Sequence, residues 1–290
     1  MTVNEMMERL LKSQELTPVM NNDLLKHRVE VETFLREKFG DEPTIRYAGS
    51  KAKGTMVKEN YDLDIVCYFP RDCEREIEEI YKDVRDKLQE KYSITPKSSA
   101  LRVQKTDNKI SIDYHIDVVP GRFIDDKQED AFVYVASGKG GRIKTNLDKH
   151  IKFIKDSGCV DIIKLAKLWN IRNVVNIKTF VLELLVVRCL NGVQKNNLKN
   201  CFMKFLECLK NDISDIRLED PANQGNIVSD DWSDAERSNA SSKASSALDS
   251  VNDDSDNVDL WKQIFMEPAE DKYVSTGSTV IRSPSKPWSY

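Results

Sequence analysis

Asp62 and Asp64 stand two residues apart at the head of an apolar run, Ile65-Val-Cys-Tyr-Phe69. On a strand, residues i and i+2 point to one face. At a rise of ~3.3 Å per residue their Cβ atoms are then roughly 6–7 Å apart. Two carboxylates so placed can converge on a hard cation such as Mg²⁺, which prefers oxygen ligands. A third carboxylate is offered by the run 110–119. There Ile110, Ile112, Ile116 and Val118 alternate with Ser111, Asp113, His115 and Asp117, and Tyr114 breaks the pattern. Asp113 and Asp117 share the polar face, so the alternation alone leaves both as candidates. Carboxylates on neighbouring strands suit a two-metal displacement, in which ions about 3.5–4 Å apart stabilise the attacking and leaving oxygens. They equally suit the solvent-facing edge of an antiparallel sheet.

Two further groups bear on that choice. Gly49-Ser50, Lys53 and Gly54-Thr55 form a small-residue loop just before the Asp62/Asp64 pair. Small residues let backbone N–H groups approach a triphosphate, and hydroxyls can help to cradle it. Lys164 and Lys167 lie three apart in IIKLAKLWN and fall on one helix face, from which either could reach phosphates across a cleft.

The surrounding pattern supplies the elements that must hold these residues. Helices are expected over 3–14 and 18–38. Thr17 would cap the second, Pro18 sits at its first position, and Gly40 ends it. Leu24, Leu25, Val29, Val31, Phe34 and Leu35 read as its buried stripe. An extended piece at 44–47 and the turn-rich 48–55 lead to a strand over Asp62–Phe69. A charged helix over 72–91 follows. Then come strands over Leu101–Thr106, Ile110–Val119 and Phe132–Ala136. After Thr145 helical periodicity dominates, over 147–156, 160–171, 178–191 and 197–212. Residues 229–259 read as helix mixed with loop, 260–265 as a last docking helix, and 267–290, with three prolines, as a tail. The expected fold class is α+β: a nucleotidyltransferase-like lobe over 1–145, a helical lobe over 146–266, and the site in the cleft between them.

The chain has 290 residues, 40% hydrophobic and 32% charged, with a net charge of -4. Its mean hydropathy is -0.53. No apolar run approaches the roughly 18–20 residues of a membrane span, and the N-terminus lacks a signal-peptide core. A cytoplasmic location is the expectation. Six cysteines, none in a CxxC pair, lie far in sequence from the three histidines. That argues against zinc and for buried thiols. Residues 138–178 carry ten Lys/Arg against three Asp, whereas 229–259 carry nine Asp/Glu against two basic residues. The overall acidity argues against sequence-specific DNA binding.

Taken in order, these segments resemble the DNA polymerase β-type nucleotidyltransferase superfamily. More narrowly they resemble the branch of oligoadenylate synthetases and the bacterial cGAS/DncV-like enzymes, the CD-NTases. GSKAKGT is similar to the phosphate loop. YDLDIVCYF is similar to the strand with the first two metal ligands. YHIDVVP is similar to the third-ligand strand, and this resemblance selects Asp117 over Asp113. IIKLAKLWN and KTFVLELLVV resemble the paired helices of the second lobe, where Lys167 and Thr179 fall at triphosphate-contacting positions. LEDPANQGNIV resembles the DPA element of oligoadenylate synthetase-like domains, and LWKQIF the closing helix of bacterial members.

The resemblance implies two Mg²⁺ or Mn²⁺ ions held by Asp62, Asp64 and Asp117. NTP substrates, ATP among them, would be positioned by Gly49, Ser50, Lys53, Thr55, Lys167 and Thr179. The implied product is a cyclic di- or trinucleotide that signals to an effector in bacterial anti-phage defence. A regulatory or conjugating protein at the C-terminal tail is also implied. No zinc-binding insertion follows the expected sheet, so the DNA-sensing apparatus of the animal cyclases is not implied. Two other readings stay open: transfer onto RNA or protein, as in a tRNA-end enzyme or an AMP-transferring toxin, and a non-catalytic nucleotide- or RNA-binding module.

Overall fold

A computed structural model describes residues 1–104, 115–136 and 141–267. Asp113, the first half of the alternating run 110–119, and the tail from 268 onward lie outside the described residues.

The chain opens with α1 (Val3–Ser13) and α2 (Pro18–Phe39). Thr17 caps α2 by accepting from the Met20 N–H, and Gly40 ends it at φ 61°. Leu24, Val31, Phe34 and Leu35 are buried as the periodicity requires. Leu25 and Val29 are not, and Val29 is 54% exposed. The buried stripe is therefore narrower than the apolar count suggested. Next come β1 (Thr44–Tyr47), the single-turn α3 (Gly49–Lys53) in place of the expected loop, and β2 (Leu63–Phe69). The charged helix α4 is shorter than read, Ile77–Gln89, and is followed by β3 (Ser93–Pro96) and β4 (Leu101–Gln104). β5 (Ile116–Phe123) continues through Pro120, where the sequence suggested a stop. It leads to β6 (Ala131–Tyr134) and β7 (Arg142–Thr145).

β1 to β7 form one mixed sheet. β2 and β5 run parallel over seven residue pairs, from Leu63 opposite Ile116 to Phe69 opposite Arg122. The other edge of β5 is shared: its first half pairs with β4 and its second half with β6. Alternation divides the sheet chemically. Leu63, Ile65, Cys67, Phe69, Ile116 and Val118 pack in one core with residues of α2 and α4. Asp64 and Asp117 therefore point to the opposite face. Val66 and Tyr68 continue that face and pack with Phe123, Val133 and Leu147.

The rest is helical: α5 (Leu147–Asp156), α6 (Val160–Arg172), α7 (Thr179–Cys189) and α8 (Leu198–Asn211), then α9 (Asp234–Ser250) and α10 (Val258–Ile264). A short hairpin, β8 (Glu219–Asp220) with β9 (Asn223–Ile227), interrupts them. The α9 stretch, read as helix mixed with loop, is 17 continuous residues, opened by a capping box between Ser233 and Glu236. Ala240, Ala244 and Ala247 are its buried face, small enough to pack closely on α8. Trp169, Phe202, Phe205, Trp261 and Phe265 are buried in the shared helical core. α1 joins that same core through Val3, Met6, Met7 and Leu10, although it begins the chain. Cys189 and Cys208 form a disulfide between α7 and α8, against the expectation of six lone thiols; the other four cysteines are buried and free. No described helix is long and apolar enough to cross a membrane.

Candidate active site

Three strands set one row of side chains across the sheet. Asp64 on β2 is the register partner of Asp117 on β5, and Asp117 is the register partner of Arg102 on β4. Asp62 precedes β2 by one residue and sits two before Asp64. Arg102 donates from Nε to Asp117 Oδ1 at 2.9 Å and from Nη2 to Oδ2 at 3.0 Å. The same Nη2 reaches Asp62 Oδ2 at 3.2 Å. The other Asp62 oxygen, Oδ1, is buried and has no hydrogen-bond partner. Burial, then the charges of Asp117 and Asp62, push the Asp64 carboxyl up to about 7, against the pull of Lys53 and Lys167. The Arg102 guanidinium is held above its usual value by its bonds to Asp117.

The phosphate-loop residues lie directly beside this row. Ala48 N–H donates to the Asp64 carbonyl at 2.8 Å, which pins the turn after β1 onto β2. Gly49 follows at φ +55°, and a Cβ there would fall 1.7 Å from Asp64 Oδ2. The sequence reading gave this glycine to close approach of a triphosphate; in the fold it is the Asp64 carboxylate that approaches.

Across from the row, Lys53, Thr55, Lys167 and Glu183 form a buried network. Glu183 Oε2 accepts from Lys53 at 2.6 Å, and Oε1 accepts from Thr55 Oγ1 at 2.7 Å and from Lys167 at 2.7 Å. Lys167 also donates to the Thr55 hydroxyl at 2.9 Å and carbonyl at 3.1 Å. Burial works against a charged Glu183, but Lys167 and Lys53 outweigh it and hold its carboxyl down at about 2. Burial draws the Lys167 ammonium below its ordinary value despite Glu183. Lys167 thus has three acceptors for its three N–H donors. Lys53 uses one, with its ammonium 5.0 Å from the Phe180 ring centroid.

Both groups border a cavity of about 570 Å³. Gly49, Ser50, Lys53, Asp62, Asp64 and Asp117 line one side, and Lys167, Thr179 and Glu183 another. Of the residues singled out in the sequence, Gly54 and Thr55 are off this cavity's wall, and Thr55 is fully buried. Lys164 lies elsewhere. A third wall carries His150, whose Nε2 lies 2.6 Å from Asp220 Oδ1. Asp220 also accepts from Ala222 N–H and the Asn226 amide, so the DPA segment is a self-tied hairpin.

Sequence reasoning missed three residues. Glu183 is the lone charge in the apolar run VLELLVV, and a carboxylate in a buried helix needs a partner. Arg102 sits between Leu101 and Val103, in phase with the carboxylate face. His150 was considered only as a zinc ligand.

The donor set suits a hard divalent cation: three carboxylates on one face, one buried oxygen without a partner, and an Asp64 whose charged form is disfavoured by burial and then by its like-charged neighbours. Among the described residues no three His, Cys, Asp or Glu side chains close into a metal cage. The Arg102 guanidinium lies among the carboxylates instead.

A family model described as a nucleotidyltransferase domain matches residues 28–119, the segment that holds all three aspartates. The chain carries a nucleotidyltransferase domain. Beyond that segment the likeness is to solved structures. E. coli MS115-1 CdnC, determined with ATP, superposes with a TM-score of 0.68 at 19% identity, over 90% of this chain and 97% of that one. The Bradyrhizobium diazoefficiens CD-NTase CdnG, in complex with GTP, gives 0.66 at 11%, over 91% and 97%. Vibrio cholerae DncV, a cyclic AMP-GMP synthase captured with the linear intermediate pppA(3′,5′)pG, gives 0.59 at 16%, over 91% and 85%. At these identities the likeness is one of fold, and the nucleotidyltransferase domain has the polymerase β-type architecture expected from its sequence. No curated protein matches the chain in sequence.

Proposed function

We propose that the chain is a two-metal nucleotidyltransferase that joins NTPs, ATP among them, into a cyclic di- or trinucleotide. The observation that carries this reading is the register match of Asp64 with Asp117 on parallel strands, beside Asp62 and facing buried lysines across one cavity.

Asp62, Asp64 and Asp117 would hold Mg²⁺ or Mn²⁺. Such ions, when bound, lower the pKa of an attacking ribose hydroxyl and neutralise charge on the transferring phosphoryl group. The protein's own groups do the positioning. The hydroxyl oxygen forms a bond to the α-phosphorus of an NTP, the bond to pyrophosphate breaks, and the hydroxyl proton leaves to water. Lys53, with donor capacity to spare, meets the triphosphate directly. Lys167, its donors already used, contributes charge more than contact. Ser50 and Thr179 border the same space. Most of the acceleration in such transfers is positioning and electrostatics. A second transfer within the same cavity closes the ring.

The solved neighbours support this assignment in kind: DncV is a cyclic AMP-GMP synthase, and CdnC and CdnG were solved with nucleoside triphosphates. As the sequence resemblance implies, the product would act on a separate effector in bacterial anti-phage defence, and the C-terminal tail would receive a regulatory or conjugating protein.

The deciding experiment supplies all four NTPs with Mg²⁺ or Mn²⁺, then phosphatase, then mass spectrometry. Small phosphatase-resistant products that vanish in Asp62→Asn/Asp64→Asn are expected. Label transferred to RNA or protein instead would replace this reading with the macromolecular one. Identical products from wild type and variant would remove it.

A further inference from the structure

Asp62 and Asp117 together present four carboxylate oxygens on the cavity side of the sheet. Arg102 contacts three of them, and the fourth is the unpartnered, buried Asp62 Oδ1. The contact is not a loose surface bridge. The side chains of Arg102, Asp62 and Asp117 are 19%, 24% and 14% exposed. The bond to Asp117 is bidentate, the planar fork that guanidinium makes and ammonium cannot. Arg102 is also built into the row: it is the cross-strand partner of Asp117, as Asp117 is of Asp64. Yet one guanidinium faces three carboxylates, so the cluster remains short of positive charge. A divalent cation placed among the same oxygens supplies more charge at shorter range.

We propose that Arg102 is a resident counter-cation: it holds Asp62 and Asp117 in the metal-free protein and must release Asp62 and one Asp117 oxygen for divalent cations to bind. The inference rests on the two-metal reading of the three aspartates. Arg102 lines the cavity, so its guanidinium and an entering cation meet the same carboxylate oxygens. The role is one of competition, and it predicts the opposite sign from a scaffold. If Arg102 only preorganised the ligands, removing it would weaken metal binding. If it competes, removing it tightens binding.

The test is Mn²⁺ binding to the metal-stripped full chain without nucleotide, read by electron paramagnetic resonance of free Mn²⁺ and by thermal unfolding. Wild type, Arg102→Gln and Arg102→Lys are compared. Arg102→Gln is expected to bind Mn²⁺ at least about tenfold more tightly, since two charged hydrogen bonds no longer have to be displaced and one alone accounts for that factor. Its metal-free Tm should fall, and Mn²⁺ should raise that Tm by more than in wild type. Arg102→Lys, a single point charge, should lie between. It carries the comparison if the glutamine variant does not fold. Measurable wild-type binding with equal or weaker affinity in the variants overturns the counter-cation role and leaves the two-metal reading standing. No Mn²⁺ binding in wild type, together with no nucleotide product, overturns both.

Discussion

Glu183 Oε1 accepts a hydrogen bond from Lys167 Nζ at 2.7 Å, with both side chains buried where α6 and α7 meet. Through Oε2 the same carboxylate holds Lys53 at the end of α3. One buried anion thus ties the phosphate-loop side of the cavity to its helical side. Removing it leaves two ammonium groups without their counter-ion. Breaking one partner of a buried pair typically costs about 3–5 kcal/mol. Glu183→Gln is expected to lower the free energy of unfolding by an amount of that order. Adding Lys167→Met should restore part of the loss, since residues in one network are not additive. Urea unfolding of the two single variants and the double variant is the measurement. Strictly additive losses would show that the network is not coupled.

The same carboxylate fixes an acid limb. Its folded value, about 2, lies below the ordinary 4.5. A group depressed on folding stabilises above its unfolded value and loses that contribution as pH falls toward the folded one. Glu183 therefore stabilises fully above pH 4.5, and its share disappears between 4.5 and about 2. The share is on the order of 3 kcal/mol, taking about 1.4 kcal/mol per unit. Unfolding free energies measured from pH 6 down to 2.5 should fall less steeply for Glu183→Gln than for wild type. Parallel curves would contradict the assignment.

Much of this site was legible before the fold. Asp62 and Asp64 could be found because strand alternation is a period-2 code written in the sequence; the same code left Asp113 and Asp117 both open, and only the family resemblance chose Asp117. Thr17, Pro18 and Gly40 marked the bounds of α2 because capping is local chemistry. What stayed hidden was long-range. Lys53 and Lys167 could be placed near phosphates, but their meeting at Glu183 spans separations of 130 and 16 residues, and no local signal encodes it. Arg102 was invisible as a partner because register between β4 and β5 is set by tertiary pairing. The hairpin β8–β9 and the edge strands β3 and β7 were missed for a related reason. Their segments are short, and β3 and β7 carry mostly exposed or half-buried residues, so little apolar alternation marks them.

The disulfide between Cys189 and Cys208 carries a thiol count that can be checked. Their Cα atoms are 5.8 Å apart and the pair closes 19 residues of separation. Closing a loop of that length stabilises by about 3 kcal/mol in the chain-entropy account. Cys67, Cys73, Cys159 and Cys201 are buried, and burial pushes the Cys67 thiol up to about 12. Protein purified without reductant should give no rapid thiol reaction when folded, and four titratable thiols when denatured. Six should appear after reduction, with a lower Tm. Six thiols before reduction would mean the pair is not bonded in solution.

Gly49 ties backbone conformation to the chemistry. Its φ of +55° disfavours any residue with a Cβ, at about 1–2 kcal/mol. The added methyl of Gly49→Ala would also lie 1.7 Å from Asp64 Oδ2 and 2.4 Å from Cγ. The Asp64 Cβ would be 2.9 Å away as well, so the carboxylate must rotate out and the turn held by the Ala48 N–H bond to the Asp64 carbonyl must shift slightly. Rotating Asp64 away takes it out of the row with Asp117. Misplacement of a reacting or ligating group by about 1 Å can lower a rate by about a hundredfold. Gly49→Ala is therefore expected to lose only modest stability but to lower kcat for nucleotide product by roughly that factor, with a much smaller change in the KM for NTP. Initial rates and thermal unfolding measured on one preparation separate the two effects. A kcat within twofold of wild type would mean that Asp64 keeps its place by some other adjustment, or that its place does not matter to the reaction.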